Sequence, residues 1–202
     1  MHSLAIPLPQ RLATFIDQQP QQRITFADYM NWVLYDSEAG YYTKAERLGY
    51  GGDFVTALHL GSDFGELIAE QLLDMWHILG QPRPFTVVEM GAGQGQLAAD
   101  ILQYLHQADT QCLQSLQYWL IERSPAMRLA QQSRLSEWQT RGVELRWLAW
   151  QDLEAQSITG CLLSNELLDA MAVHRVCKCN GTLQEIYVTA QTTSQDTTQF
   201  VE

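Results

Sequence analysis

The chain has 202 residues, 46% of them hydrophobic and 17% charged, with 12 basic against 23 acidic side chains and a net charge of −11. That length suits one large domain or two small ones, with enough apolar content to fill a core. Such acidity, with no Lys/Arg run, excludes a surface made for nucleic-acid phosphates or anionic lipid, so no nucleic-acid partner is expected; it is compatible with a basic protein substrate. No apolar run approaches the roughly 18 residues needed to span a bilayer, so no membrane insertion is expected. Met1 to Arg11 carries neither a secretory nor a transit pattern, and a cytoplasmic protein is the expectation. The 23 glutamines are scattered and read as exposed helix surface.

Residues 11–35 read as helices: Leu12, Phe15 and Ile16 keep helical spacing, and Thr25 followed by Asp28 is a helix-start signal. An aromatic turn, Tyr35 to Tyr42, precedes a glycine loop at Gly49 to Asp53. Ser62 to Leu79 reads as an amphipathic helix whose apolar stripe is Phe64, Leu67, Ile68, Leu72, Met75, Trp76 and Leu79. Gly80-Gln81-Pro82-Arg83-Pro84 ends it and sets an expected boundary between an N-terminal helical cap, 1–81, and a second domain, 82–202.

Beyond Pro84 strands and helices alternate. Strands are expected at Thr86–Met90, Tyr118–Glu122, Val143–Leu148 and Gly160–Ser164, with helices at about 96–107 and 125–138. Pro125 after Ser124 fits a first helical position. Val173–Cys179 and Leu183–Thr189, joined by Asn180-Gly181, give a hairpin signal, because Asn-Gly supplies the positive φ angles of a type I′ turn. From Gln191 to Glu202 no core-forming pattern is visible. The βαβαβ order predicts an α/β fold with a mainly parallel, Rossmann-like sheet. Four such strands are few for that fold, so an incomplete sheet is expected, with an open edge that favours self-association as a homodimer.

Glu89-Met90-Gly91-Ala92-Gly93-Gln94-Gly95 ends a strand and opens a helix, where open α/β sheets bind ligands. The glycines permit a sharp turn and close approach, and the helix start offers unpaired N–H groups. A dinucleotide fingerprint wants glycine where this chain has Gln96. An acid leading G-x-G-x-G suits S-adenosyl-L-methionine better: Glu89 for the methionine ammonium, Glu122 at the second strand end for the ribose hydroxyls, Asp152 after the third for the adenine amino group. The bland alternative is an ordinary strand-to-helix turn. Ser164-Asn165-Glu166-Leu167-Leu168-Asp169-Ala170 follows the fourth strand, where substrate contacts belong in a methyltransferase. Glu166 and Asp169 are placed to hold a guanidinium by charge-assisted bonds, with Asn165 fixing the turn. Against this stand helix capping for Asp169 and a solvated loop acid for Glu166.

Other clusters carry less. Cys177 and Cys179, with Cys161, have no partner pair at ligand spacing, so no metal is expected and reduced cysteines are the better reading. Cys112 completes a set of four too sparse for a disulfide scaffold. Trp32, Tyr41, Tyr42 and Phe54 are candidates to cover a cofactor or to pack a core, and Trp147 or Trp150 to stack near adenine or be buried.

Together these segments resemble the MidA-like family of class I methyltransferases. The carrying residues are Tyr29-Met30, Leu34-Tyr35-Asp36, Gly40-Tyr41-Tyr42, Gly52-Asp53-Phe54-Val55-Thr56-Ala57, Phe64 to Ala69, Glu89 to Leu97, and Ser164 to Ala170 with Val173. The resemblance implies an S-adenosyl-L-methionine-dependent protein arginine methyltransferase, akin to mitochondrial factors of respiratory complex I assembly. Family members run to nearly twice this length, with further sheet strands, which implies an N-terminal portion. The family usually has Thr-Ala-Pro-Glu-Ile-Ser where this chain has Thr56-Ala57-Leu58-His59-Leu60-Gly61, and an imidazole cannot replace a carboxylate that binds a cation. The competing readings are a non-enzymatic assembly factor or inactive fragment, and a dinucleotide-dependent oxidoreductase.

Overall fold

A computed structural model describes residues 6–43, 61–192 and 198–202. The Gly49–Asp53 loop, the Gly52–Ala57 segment with Phe54, and His59 lie outside the described residues. The chain divides into two compact units, one of Met1–Lys44 with Leu168–Glu202, the other of Ala45–Leu167. The turn at 80–84 therefore separates a helix from a strand inside one unit, and the division expected at residue 82 does not coincide with the division of the chain.

The Ala45–Leu167 unit is built on a parallel sheet in the order β4-β3-β2-β5. Its strands are β2 (Phe85–Met90), β3 (Leu116–Ile121), β4 (Glu144–Leu148) and β5 (Gly160–Leu163). Central β2 and β3 are buried along nearly their whole length, as short continuous apolar runs covered on both faces should be. They run in register from Phe85↔Leu116 to Met90↔Ile121, which brings Glu89 and Glu122 to the same end of adjacent strands.

Helices α3 (Asp63–Ile78), α4 (Gln96–Ala108) and α6 (Pro125–Thr140), with the short α5 (Thr110–Ser115), accompany the sheet. The last begins where Asp109 accepts from the N–H groups of Gln111 and Cys112, a cap not anticipated. Ser124 caps α6 by accepting from Met127 N–H, with Pro125 in the first turn. The apolar face of α3 is Gly65, Ala69, Leu72 and Trp76. Of the expected stripe, Phe64, Ile68, Leu72 and Trp76 face the core, whereas Leu67, Met75 and Leu79 are exposed and Gly65 and Ala69 complete the contact. At Gly65, Asp100 on α4 lies so close that a Cβ would sit 2.4 Å from its Cβ. The helices approach through a residue with no side chain, and hydropathy spacing does not register it.

The other unit holds α1 (Leu8–Asp17), α2 (Phe26–Tyr35) and an antiparallel sheet in the order β1-β8-β9. These strands are Ile24–Thr25, Tyr187–Thr192 and Thr198–Val201. Thr25 caps α2 by accepting from Asp28 N–H at 3.1 Å. Leu12, Ile16, Ile24 and Val188 form its core, with Phe15, Tyr29, Trp32 and Phe200 packed around them. The polar stretch after Gln191 thus contains a strand that contributes Phe200, against Tyr29 at 5.4 Å between centroids. The hairpin is shorter than expected, β6 (Val176–Cys179) and β7 (Thr182–Glu185), with Asn180 at φ 51° and Gly181 at φ 84° in its turn. Its second half, from Tyr187, pairs with β1 instead. Cys177 and Cys179 lie side by side on β6, sulfur to sulfur 3.5 Å.

Candidate functional site

The site is laid out at the carboxyl ends of β2 and β3. Gly91 N–H donates to Ile121 O across 3.1 Å, tying the loop's start to the neighbouring strand. Gly91, Gly93 and Gly95 have φ of 74°, 53° and 80°, a region that strongly favours glycine. Their surroundings differ. A Cβ at Gly91 would meet Leu167 Cδ1 at 2.7 Å, one at Gly95 would meet Gln131 Cγ at 3.3 Å, and one at Gly93 would meet nothing within 4 Å. Gly95 is also the N-cap of α4, so the loop hands directly onto a helix start.

Two carboxylates flank this loop. Glu89 is 2% exposed and accepts from Tyr118 Oη at 2.7 Å. Burial pushes its carboxyl up to about 7, against the hydrogen bond from Tyr118 and helped by the charge of Glu122. Glu122, one residue past β3, accepts from Ser124 N–H at 2.8 Å and more weakly from Gln131 Nε2 at 3.3 Å. Burial raises its pKa too, opposed by those donors and by Arg128. A pair of acids beside open backbone suits a cationic ligand bearing hydroxyl groups, which is the chemistry of S-adenosyl-L-methionine. On the donor set and the free space over Gly93, the residues fit that group.

Asp152 sits elsewhere in role. Its Oδ2 accepts from Ala149 N–H at 2.8 Å, closing the turn Trp150–Asp152 after β4. The expected adenine contact would have to share this carboxylate with a cap. Trp150 is exposed, whereas Trp147 packs against the core and donates to Gln131 Oε1 at 3.0 Å. Asn165 and Glu166 follow β5, and Glu166 is exposed with φ 51°, a left-handed conformation uncommon for a residue with a Cβ. Asp169 belongs to the other unit, in the turn Leu168–Ala170, where burial, helped by the Asp169 charge, raises the Tyr42 phenol. Trp32 is a packing residue against Phe15, and Tyr41 meets Tyr42 edge to face at 5.1 Å.

Gln131 was missed. Among scattered glutamines it read as surface, yet it is fully buried and bonds to the glycine loop, Glu122 and Trp147. The signal was its place in the series Met127, Gln131, Leu135, Trp138, the buried face of α6.

Comparison with known proteins gives a consistent picture. Residues 67–202 match a family model described as "Putative S-adenosyl-L-methionine-dependent methyltransferase". A Drosophila melanogaster relative, protein arginine methyltransferase NDUFAF7 homolog, mitochondrial, is 31% identical over 181 residues, 82% of this chain and 41% of the relative. Human mitochondrial protein arginine methyltransferase NDUFAF7 is 28% identical over 88% of this chain and 44% of its own length. A crystal structure from Burkholderia thailandensis, bound to S-adenosyl-homocysteine, superposes with a TM-score of 0.74 at 29% identity, covering 98% of this chain and 52% of that one. This chain therefore spans less than half the length of those curated relatives.

Proposed function

We propose, because this chain belongs to the S-adenosyl-L-methionine-dependent methyltransferase family, that its protein binds S-adenosyl-L-methionine at the glycine loop and methylates arginine on a protein substrate. The observation that carries the reading is the pairing of Glu89 and Glu122 at adjacent strand ends around a glycine loop with open space at Gly93. The arginine acceptor rests on what the relatives are: NDUFAF7 proteins are protein arginine methyltransferases.

The cofactor, when bound, supplies an electrophilic methyl group on a sulfonium for in-line displacement. The chain's part is to bind and align. Gly91, Gly93 and Gly95 would admit the ligand to the backbone, Glu89 would contribute negative charge toward the ammonium, and Glu122 would accept from ribose hydroxyls. Asp152 is placed after β4 for the adenine end, at the cost of its bond to Ala149. Glu166 follows β5 and is assigned to the acceptor guanidinium, with Asn165 fixing the turn. Such catalysis works chiefly through proximity and orientation.

Isothermal titration of the chain with S-adenosyl-homocysteine and, separately, with NADH tests the reading. Binding of S-adenosyl-homocysteine alone is expected. Binding of NADH alone would establish a dinucleotide site and overturn it.

A further inference from the structure

We propose that Gln131 is a positioning residue of the cofactor site, holding the Glu122 carboxylate and the glycine loop in the arrangement that receives the ribose hydroxyls. This deepens the methyltransferase reading and rests on it. Gln131 has no exposed surface, and a buried amide without partners would be costly. Its partners are three different elements. Nε2 donates to Gly93 O at 2.7 Å and to Glu122 Oε2 at 3.3 Å, while Oε1 accepts from Trp147 Nε1 at 3.0 Å.

Trp147 settles which way the amide faces. An indole N–H only donates, so the oxygen of Gln131 must turn to it and the NH2 group must turn to Gly93 and Glu122. The same side chain fills the space beside Gly95, its Cγ 3.3 Å from where a Cβ there would lie. One helical turn further along α6, Arg134 Nε donates to Gln94 O at 3.0 Å. Successive carbonyls of the loop are thus held by α6. In a trans peptide the N–H points opposite to its C=O, so drawing the Gly93 carbonyl toward α6 turns the following amide away from it.

Gln131 also gives half-buried Glu122 a donor, and a hydrogen bond to a charged acceptor away from bulk water fixes geometry more firmly than in water. A carboxylate so anchored by Gln131 and by Ser124 N–H is aimed before any ligand arrives. That is preorganisation, which raises affinity by removing an ordering cost.

The test measures calorimetric binding of S-adenosyl-homocysteine and of its analogue lacking both ribose hydroxyls, on the full chain. Two variants are used. Gln131→Met removes all three bonds, and Gln131→Glu keeps the shape and the acceptor for Trp147 while losing the donor. Both variants should bind S-adenosyl-homocysteine about tenfold more weakly than wild type. They should bind the dideoxy analogue within about twofold of wild type, since a merely aimed carboxylate has nothing to grip there. The Trp147 indole proton, followed by NMR, should keep its hydrogen-bonded shift in Gln131→Glu and lose it in Gln131→Met. Equal weakening for both ligands would make Gln131 a structural filler and overturn the proposal, as would unchanged affinity in either variant. A wild-type chain that binds neither ligand would instead overturn the cofactor reading, and this inference with it.

Discussion

Tyr118 donates its phenolic hydrogen to Glu89 Oε2 across 2.7 Å, between side chains that are both buried within the parallel sheet. The register explains the meeting. Tyr118 stands opposite Val87, so Glu89 is its diagonal neighbour on the same face, within reach of a long aromatic side chain. The phenol in turn is pushed well above its usual range by burial and by the acid it touches. A neutral carboxylic acid can sit in this place more cheaply than a carboxylate.

That acid makes stability fall as pH rises. The folded state holds the Glu89 proton up to about pH 7, whereas the ordinary value is 4.5. The stabilisation is therefore complete below about 4.5 and is lost as pH climbs through 7, on the order of 3 kcal/mol in all. Glu122 shifts in the same direction. Urea unfolding at pH 5 and pH 8 checks this: the wild type should be less stable at pH 8, and Glu89→Gln should lose most of that difference. An equal pH dependence in the variant would mean that Glu89 is ionised throughout.

Gly65 carries the close approach of α3 to α4. A methyl group at this position meets Asp100 Cβ at 2.4 Å, and Asp100 cannot swing away because that atom is fixed to the α4 backbone. Gly65→Ala should cost about 1–3 kcal/mol through overpacking, even though alanine has the better helix propensity. Gly142→Ala is the contrast: φ is 91° but nothing lies within 4 Å, so only backbone strain of roughly 1 kcal/mol applies. Chemical denaturation of both variants ranks them. A stabilised Gly65→Ala protein would show that the helices can move apart freely.

The sheet was legible because β2 and β3 are short, largely apolar segments, β2 set between Pro84 and Gly91, and the acids at their ends were legible from position alone. The rest depended on partners distant in sequence. Nothing near Ile24-Thr25 announces a strand, since its whole pairing is with Val188 and Tyr187. Phe200, one aromatic in a Thr/Gln stretch, shows its purpose only beside Tyr29. Asp36 was seen as part of an aromatic turn, yet it is held by a two-pronged bond from Arg11, at 2.8 and 2.7 Å, and by the N–H groups of Glu38 and Ala39. Those bonds lower its pKa, with the Arg11 hydrogen bond foremost. Gln131 escaped for the opposite reason: its helix pattern was plain, but a glutamine in an apolar stripe was read by its type instead of its place.

Glu166 offers the sharpest division between binding and chemistry. It is exposed in the turn that follows β5, in a left-handed backbone conformation. Glu166→Gln keeps the side chain's shape and the same backbone demand, while removing the charge that would grip a guanidinium. Affinity for S-adenosyl-homocysteine should stay within about twofold of wild type, because the cofactor residues assigned here belong to the β2, β3 and β4 ends. Methyl transfer by the intact protein to an arginine-bearing peptide should fall at least about tenfold, which takes only about 1.4 kcal/mol of transition-state stabilisation. The loss should be larger in kcat/KM than in cofactor affinity by that whole factor. Wild-type transfer rates in a folded Glu166→Gln protein would leave Glu166 a solvated loop acid and move the search for the acceptor site to other residues.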